Sequence, residues 1–172
     1  APHHAGREHA AVLSASGFRQ ERSIRRAYRH AIDRARDRIY ITNAYFLPDR
    51  IIRKSLMRAA RRGVDVRVIA PGKTDHPYVR WASWAMFPRM IRSGVRIYEW
   101  EGEILHSKTS VIDGVWSSVG SHNLDHRSLH YNLELNVNVF GGEPLLVTGY
   151  DGSDIHRIVT AFEKVHGPVH GA

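Results

Sequence analysis

The apolar positions of the chain recur with two spacings, one helical and one alternating. From Gln20 to Arg38 the helical spacing lies on a strongly basic background and is kept by Ile24, Tyr28, Ile32, Ala35 and Ile39. Residues 39–46, IYITNAYF, form an apolar run that is typical of a strand. These patterns predict helices that alternate with strands along the chain.

Two later segments, RRGVDVRVIA and IRSGVRIYEW, repeat one arrangement of helix, terminal glycine and strand. The first helix of this pair begins at Pro48-Asp49, with Asp49 as its cap, and ends at Gly63. Val64, Val66 and Val68 then alternate as a strand. The second helix covers about 78–92 and ends at Gly94, before a strand from Val95 to Trp100. Helices that connect strands in this way are typical of a parallel sheet covered by helices.

The carboxyl-terminal part predicts three more strands and a closing helix. The strands lie at about 104–113, 115–120 and 133–140, and a turn at Asp113-Gly114 joins the first two as a hairpin. A helix at 153–165 has a buried stripe of Ile155, Ile158, Val159 and Phe162. We therefore expect an α/β fold with a mixed, largely parallel β-sheet flanked by helices. It forms a single domain over 19–172, after a flexible tail at 1–18.

Composition narrows the possible partners. A chain of 172 residues with 42% hydrophobic and 24% charged residues is ordinary for one folded domain. No cysteine is present, which excludes disulfides and thiolate chemistry. The 25 Lys and Arg against 17 Asp and Glu give a net charge of +8, which favours nucleic acid or an acidic membrane surface. No apolar run approaches the roughly 20 residues that span a bilayer.

The candidate chemistry lies around His106-Ser107-Lys108. Two residues that are separated by one other residue on a strand point to the same face, so His106 and Lys108 would lie side by side. The histidine is a nucleophile or proton carrier, and the lysine adds a fixed positive charge. The turn at Asp113-Gly114 folds the next strand back, so Ser121 and Asn123 can add hydrogen-bond donors to the same site. Such a cluster suits an anionic phosphodiester.

The spacing His106-x-Lys108-x(4)-Asp113 resembles the HKD motif of the phospholipase D superfamily. Its surroundings, HSKTSVIDGVWSSVGSHNLDHRSLHYNLELNVNVF, are similar to the second-motif region of bacterial cardiolipin synthases. The upstream stretches NAYFLPDRIIRKSLMRAARRGVDVRVIAPGKTDHPYVR and SGVRIYEW resemble the same enzymes. The resemblance runs from about Asp37 to Phe140 and corresponds to the carboxyl-terminal half of a cardiolipin synthase.

The resemblance implies a double displacement through a phospho-histidine intermediate, without a cofactor or metal. His106 would be the nucleophile or the general acid, and a second histidine from the other half of a two-fold site would take the other role. Lys108 and Asn123 would hold non-bridging phosphate oxygens, with help from Ser121. Glu134 stands where relatives carry the acidic residue that orients the histidine. An ordinary charged strand residue is the alternative interpretation of Glu134.

Other polar residues of this region are assigned supporting roles. Asp113 carries the family letter, but beside a glycine turn we interpret it as structural, through local hydrogen bonds. Gly120 belongs to the same structural motif. The remaining histidines of the region surround the site or lie on the surface, and we do not interpret them as zinc ligands: His122, His126 and His130.

The chain departs from the family because it contains one HKD motif where members usually have two. Three explanations stay open: the carboxyl half of a two-motif synthase, a two-fold dimer that pairs two copies of His106, or an inactive remnant. The implied reaction transfers a phosphatidyl group from one phosphatidylglycerol to another, giving cardiolipin and glycerol. The alternatives are a homodimeric single-HKD phosphodiesterase or nuclease, and a non-catalytic lipid-binding half-domain.

The aromatic segment YVRWASWAMFPRM, at 78–90, bears on the choice between lipid and nucleic acid. Exposed, it would lie at a bilayer interface with its arginines on lipid phosphates; buried, it would be a core helix, interrupted or kinked at Pro88. The resemblance favours lipid. It implies phosphatidylglycerol as the substrate and a peripheral location on the bacterial cytoplasmic membrane.

Overall fold

A computed structural model of the chain describes residues 9–15, 21–74, 76–102, 105–125 and 134–140. Within these ranges seven strands and three helices follow one another. In chain order they are β1 (His9–Ala15), α1 (Glu21–Arg34), β2 (Arg38–Asn43), α2 (Arg50–Arg61), β3 (Asp65–Pro71), α3 (Pro77–Ile91), β4 (Arg96–Trp100), β5 (Lys108–Ile112), β6 (Trp116–Gly120) and β7 (Glu134–Phe140). The helix expected at 153–165 lies outside the described residues.

The strands form one sheet in the order β1-β7-β6-β5-β2-β3-β4. β2, β3 and β4 pair in parallel, and every other neighbouring pair is antiparallel. The α/β class and the mixed sheet are confirmed, but parallel pairing is confined to the strands joined by helices. β5 and β6 are joined by the Asp113-Gly114 hairpin, and a tight turn can connect only antiparallel strands.

A flexible tail was expected over 1–18, but the structure describes a strand in the part of this range that it covers, 9–15. Residues His9–Ala15 form β1, an edge strand that pairs with the whole length of β7, from His9 opposite Phe140 to Ala15 opposite Glu134. Seven aligned residue pairs satisfy the backbone groups of what would otherwise be an exposed sheet edge at β7. The single domain over 19–172 stays a prediction.

The ends of α2 and α3 lie close to the predicted positions. The Asp49 carboxylate accepts a hydrogen bond from the Ile52 backbone N–H at 2.8 Å, and Asp49 is the N-cap of α2. Beyond α2 and α3, Gly63 and Gly94 both adopt φ +93°, a conformation that glycine adopts without strain. α3 continues through Pro88 to Ile91.

The main core lies between the helices and one face of the sheet. Ile39 and Ile41 alternate on β2 toward this face and are fully buried, and α1 contributes Ile24 and Ile32. Buried residues of all three described helices belong to the same apolar cluster. Of these helices, none has the length and apolar character needed to cross a membrane.

Candidate active site

Four strand ends bring the candidate site together at one edge of the sheet. β2 and β6 run toward this edge and end at Asn43 and Gly120, while β5 and β7 start from it at Lys108 and Glu134. Asn43 lies opposite Lys108 in the ladder between β2 and β5. The antiparallel pairing of these strands therefore gathers polar residues that are far apart in sequence.

His106 precedes the sheet and does not lie on a strand. The expectation that His106 and Lys108 share a strand face is wrong, because β5 begins only at Lys108. The His106 side chain is exposed, whereas Lys108 is 7% exposed. The Lys108 ammonium donates to the His106 carbonyl at 2.8 Å, and the Ala44 N–H donates to the Ser107 carbonyl at 2.9 Å. These bonds fix the backbone that carries the exposed imidazole.

Lys108 is a buried cation that interacts electrostatically with two carboxylates. Burial lowers its pKa, and the negative charges of Glu134 and Asp125 act in the opposite direction. A cation in such a low-dielectric setting interacts strongly with any anion that reaches it. Lys108 is therefore the strongest candidate among the described residues for contact with a phosphate oxygen.

Glu134 and Ser121 contact each other directly. The Ser121 hydroxyl donates a short hydrogen bond to Glu134, and it accepts one from the Leu135 N–H at 3.1 Å. Glu134 is 7% exposed and also interacts electrostatically with Lys108. The roles of Glu134 in orienting His106 and of Ser121 in holding phosphate stay predictions. In this structure the two side chains join the start of β7 to the end of β6.

Asn123 lies in a loop whose backbone is held on both sides. The preceding N–H, of His122, donates to Asn136 Oδ1 at 3.2 Å, and the following one, of Leu124, donates to Asn43 Oδ1 at 3.1 Å. Asn123 is 9% exposed, and its Oδ1 atom is buried with no hydrogen-bond partner among the described residues. The loop therefore presents an amide that still has bonding capacity.

Sequence reasoning missed Asn43 and Asn136. Asn43 is 1% exposed at the end of an apolar strand, and Asn136 is fully buried in the alternating segment ELNVNVF of β7. Asn136 also donates to Ser118 Oγ at 2.9 Å. A buried asparagine requires partners. For Asn43 the signal was a polar residue on the same strand face as Ile39 and Ile41. The alternation in β7 places Asn136 on the polar face with Glu134 and Asn138, so the sequence carried no signal that it is buried.

Gly120 is required by a close approach of β6 and β7. A Cβ atom at this position would lie 2.1 Å from the Leu135 carbonyl oxygen and 2.3 Å from Asn136 Oδ1. Both distances are far below van der Waals contact. No larger residue fits at Gly120 unless β7 moves away from the loop that carries Asn123.

Asp113 lies at the opposite end of the sheet from Lys108. Its carboxylate accepts backbone N–H bonds from Arg36 at 2.8 Å, Asp37 at 2.9 Å and Arg38 at 2.8 Å. We expected Asp113 to make local hydrogen bonds, and this is wrong: its carboxylate binds the loop between α1 and β2, which is distant in sequence. Burial acts to raise the pKa of Asp113, but the three N–H bonds and the charge of Arg38 outweigh it and lower the pKa.

His122 is buried and does not lie on the surface. Its side chain is 1% exposed, its ring centre is 6.4 Å from that of Tyr28, and its ring nitrogens have no hydrogen-bond partner among the described residues. Burial lowers the pKa of His122 to about 4, against the opposing charge of Glu134. The ring is therefore neutral near pH 7. His126 and His130 lie outside the described residues.

The described residues contain no group of three His, Cys, Asp or Glu side chains placed to bind a metal ion. What they do assemble is an exposed imidazole, a buried ammonium, a carboxylate and an amide at one sheet edge. An imidazole supplies nucleophilic or proton-transfer chemistry, and the ammonium and amide supply donors for an anion. This arrangement suits chemistry on a phosphate group.

Comparison with known proteins identifies relatives of the chain. The family described as "Cardiolipin synthase, PLD-like domain" matches residues 28–145. Cardiolipin synthase A of Yersinia pseudotuberculosis (serotype O:1b, strain IP 31758) is 42% identical over 126 residues, which are 73% of this chain and 26% of the relative. Cardiolipin synthase A of Yersinia pestis bv. Antiqua (strain Angola) gives the same values. The chain spans about a quarter of the length of these relatives.

Solved structures share the fold. Nuc, a phospholipase D family member from Salmonella typhimurium, has a TM-score of 0.69 at 23% identity, over 91% of this chain and 93% of that one. The phosphatidylserine synthase of Haemophilus influenzae Rd KW20 has a TM-score of 0.68 at 12% identity, over 88% of this chain and 38% of that one. At these identities the similarity concerns the fold alone.

Proposed function

Because this chain belongs to the cardiolipin synthase family of PLD-like domains, we propose that it contributes one histidine site to a phosphatidyltransferase. The reaction joins two phosphatidylglycerol molecules into cardiolipin and releases glycerol. The observation that carries the proposal is the exposed imidazole of His106 on a backbone whose carbonyl accepts a hydrogen bond from the buried ammonium of Lys108. A nucleophile that is open to substrate and a cation that is shielded from water are what phosphoryl chemistry needs.

In the first step a ring nitrogen of His106 attacks the phosphorus of one phosphatidylglycerol. The bond from phosphorus to the headgroup glycerol oxygen breaks, and that oxygen takes a proton from a second acid group. In the second step a hydroxyl of another phosphatidylglycerol attacks the phospho-histidine and gives its proton to the same group. The bond between phosphorus and His106 breaks, so the histidine is regenerated and protons balance.

Lys108 and Asn123 stabilise the negative charge that develops on the phosphate oxygens. Lys108 is 7% exposed, so its charge is weakly screened, and the loop bonds to Asn43 and Asn136 keep the Asn123 amide in place. Glu134 interacts electrostatically with Lys108 and accepts a hydrogen bond from Ser121, so these two side chains add polar groups to the site. Donors that are fixed before the reaction lower the barrier because little reorganisation remains.

The second acid group comes from another HKD half or from a second copy of this chain. His106 is exposed at the sheet edge, so an opposing imidazole can approach it. A two-fold axis through the substrate would bring two such edges face to face. The relatives are about four times longer than the matched segment, which leaves room in them for a second half.

The decisive experiment measures cardiolipin formation from phosphatidylglycerol vesicles in EDTA. The purified chain is tested alone and with an amino-terminal HKD half, each beside His106→Ala and the control His30→Ala, an exposed histidine of α1. We expect product in at least one mixture, lost in His106→Ala and kept in His30→Ala.

Absence of His106-dependent product in both mixtures overturns the proposal. A salt-sensitive, His106-dependent cleavage of DNA in the same preparation would instead support the homodimeric phosphodiesterase or nuclease. Vesicle binding without any turnover would support the non-catalytic lipid-binding half-domain.

A further inference from the structure

α3 exposes large apolar side chains, with Tyr78 and Trp81 opposite its buried residues and Trp84 and Ile91 beside them. Tyr78 is 62% exposed, Trp81 66%, Trp84 42% and Ile91 53%. We call the three aromatic residues, Tyr78, Trp81 and Trp84, the aromatic face. A helix that is apolar all round is normally buried on every side, because water would otherwise contact its outer stripe. The aromatic face therefore indicates an interface with another apolar phase.

The inner face of the same helix is core. Ser83, Phe87 and Met90 are buried, and Ser83 Oγ donates to the Phe46 carbonyl at 2.8 Å. The segment is thus a core helix on one side and exposed on the other. The inner contacts hold α3 in the fold, and the aromatic face takes no part in them.

The charged residues of α3 itself are all positive. The sequence of α3, PYVRWASWAMFPRMI, contains Arg80 and Arg89 and no Asp or Glu, and Arg92 follows as the C-cap. Arg89 and Arg92 are exposed. Tyrosine and tryptophan combine an apolar ring with a polar tip, and arginine can reach phosphate while its stem contacts apolar groups. This combination is typical of a helix that binds an anionic lipid interface.

Part of the face is fixed in place. The Arg80 guanidinium lies 4.3 Å from the ring centre of Trp84 and 3.5 Å from the Glu99 carboxylate, and Trp84 Nε1 donates a short hydrogen bond to Glu99. These contacts neutralise the acidic group nearest the helix and hold Trp84 at its edge. Tyr78 and Trp81, the most exposed members, are the residues placed to enter another phase.

A series of contacts links the aromatic face to the backbone next to His106. Ala44 donates to the carbonyl of Ser107, the neighbour of His106. The next residue, Tyr45, has its ring centre 5.8 Å from that of His76, which is 5.5 Å from that of Tyr78. A surface held by the aromatic face would therefore lie close to the edge that carries His106.

We propose that the aromatic face docks the chain on an anionic phospholipid bilayer. Tyr78 and Trp81 enter the headgroup region, Arg89 and Arg92 contact lipid phosphates, and His106 meets the lipid headgroup at the bilayer surface. This inference rests on the proposed function for its substrate, but docking itself is measured without turnover.

The test measures co-sedimentation of the full chain with vesicles of phosphatidylglycerol and phosphatidylcholine, and with phosphatidylcholine alone. The double variant Tyr78→Ser/Trp81→Ser is compared with Val12→Ser/Val115→Ser, which removes exposed apolar groups (64% and 51%) of β1 and of the turn between β5 and β6. We expect the aromatic-face variant to bind the anionic vesicles at least about tenfold more weakly, and the control variant to bind like the unaltered chain. Pure phosphatidylcholine should bind the unaltered chain more weakly.

A second measurement does not depend on how the double variant folds. Phosphatidylglycerol brominated on its acyl chains should quench the tryptophan emission of the unaltered chain, and Trp81→Phe should remove much of that quenching. Equal binding by the aromatic-face variant, or quenching unchanged in Trp81→Phe, overturns docking by this face. So does a variant that loses self-association while its vesicle binding is unchanged, because the face would then be a protein interface.

The proposed function and the docking surface can fail separately. His106→Ala should bind vesicles like the unaltered chain, since His106 lies outside the aromatic face. Loss of binding in the aromatic-face variant supports docking even if no cardiolipin forms. His106-dependent product with unaltered binding by that variant supports the enzyme and overturns the docking surface.

Discussion

His122 makes the stability of this protein depend on pH in a window where carboxylates contribute little. The ring is 1% exposed and contacts Tyr28, and burial lowers its pKa from 6.5 to about 4. The unfolded chain exposes the ring and binds a proton near pH 6.5. The folded chain binds it only near pH 4, so acid favours unfolding. The perturbation is His122→Gln, which removes the titrating ring.

The magnitude follows from the two pKa values. The unfolded state holds more protons between pH 6.5 and about 4, so the free energy of unfolding falls as pH is lowered through this range. At about 1.4 kcal/mol per pKa unit the whole shift is worth about 3 kcal/mol. Roughly 2 kcal/mol of this is lost between pH 7 and pH 5. The carboxylates with lowered pKa, such as Asp113, lose their contribution only below the usual value of 3.8.

Urea unfolding followed by circular dichroism at pH 7 and pH 5 checks this value. His122→Gln should lose about 2 kcal/mol less than the unaltered chain over that interval, whatever its stability at pH 7. His30→Gln, which removes an exposed histidine of α1, is the matched control and should behave like the unaltered chain. Equal losses in all three proteins, or an NMR titration of His122 with a pKa near 6.5, would show that burial of His122 does not cause the pH dependence.

Three further substitutions test contacts of the sheet and of the site. Asp113→Ala leaves three backbone N–H groups without their acceptor and should lower the free energy of unfolding in urea by about 2–4 kcal/mol. Asp113→Asn keeps an acceptor oxygen and should lower it clearly less. Equal losses in the two variants would contradict this account. Gly120→Ala places a Cβ 2.1 Å from the Leu135 carbonyl oxygen and should cost more than about 2 kcal/mol, so an unchanged melting temperature would contradict it. Asn43→Ala removes the acceptor of the Leu124 N–H beside Asn123. The kcat for phosphatidylglycerol should fall at least about tenfold, with a smaller change in KM. A change in KM alone would contradict a positioning role for Asn43.

The local patterns of the sequence were sufficient for the elements themselves. Helical spacing gives α1, Asp49 caps α2, and Gly63 and Gly94 follow α2 and α3 with positive φ. Each of these features depends on contacts within one or two helical turns, so neighbouring residues contain the information. The same holds for the hairpin at Asp113-Gly114.

Long-range pairing decided what the sequence left open or gave wrongly. β1 pairs with β7 where a flexible tail was expected, and antiparallel neighbours outnumber parallel ones because β5 sits between β2 and β6. No periodicity records which strand becomes the neighbour of another. That choice depends on the burial of a shared face and on the length of each connection.

The candidate site was likewise predicted in part from local patterns and decided in part by long-range contacts. The motif named His106, Lys108, Asp113 and Asn123, since a short spacing is visible in sequence. Only the tertiary structure showed that the Asp113 carboxylate binds the backbone of the loop before β2, which is distant in sequence.

Other properties of the site region depend on which surfaces meet. The structure brought Asn43 and Asn136 to the loop around Asn123, buried His122, and left the outer side of α3 exposed. The sequence by itself determined the chemical groups and their local conformation. Their burial, partners and common edge were decided by the packing of strands and helices that are distant in the chain, because solvent exposure is a property of packed surfaces and not of residue order.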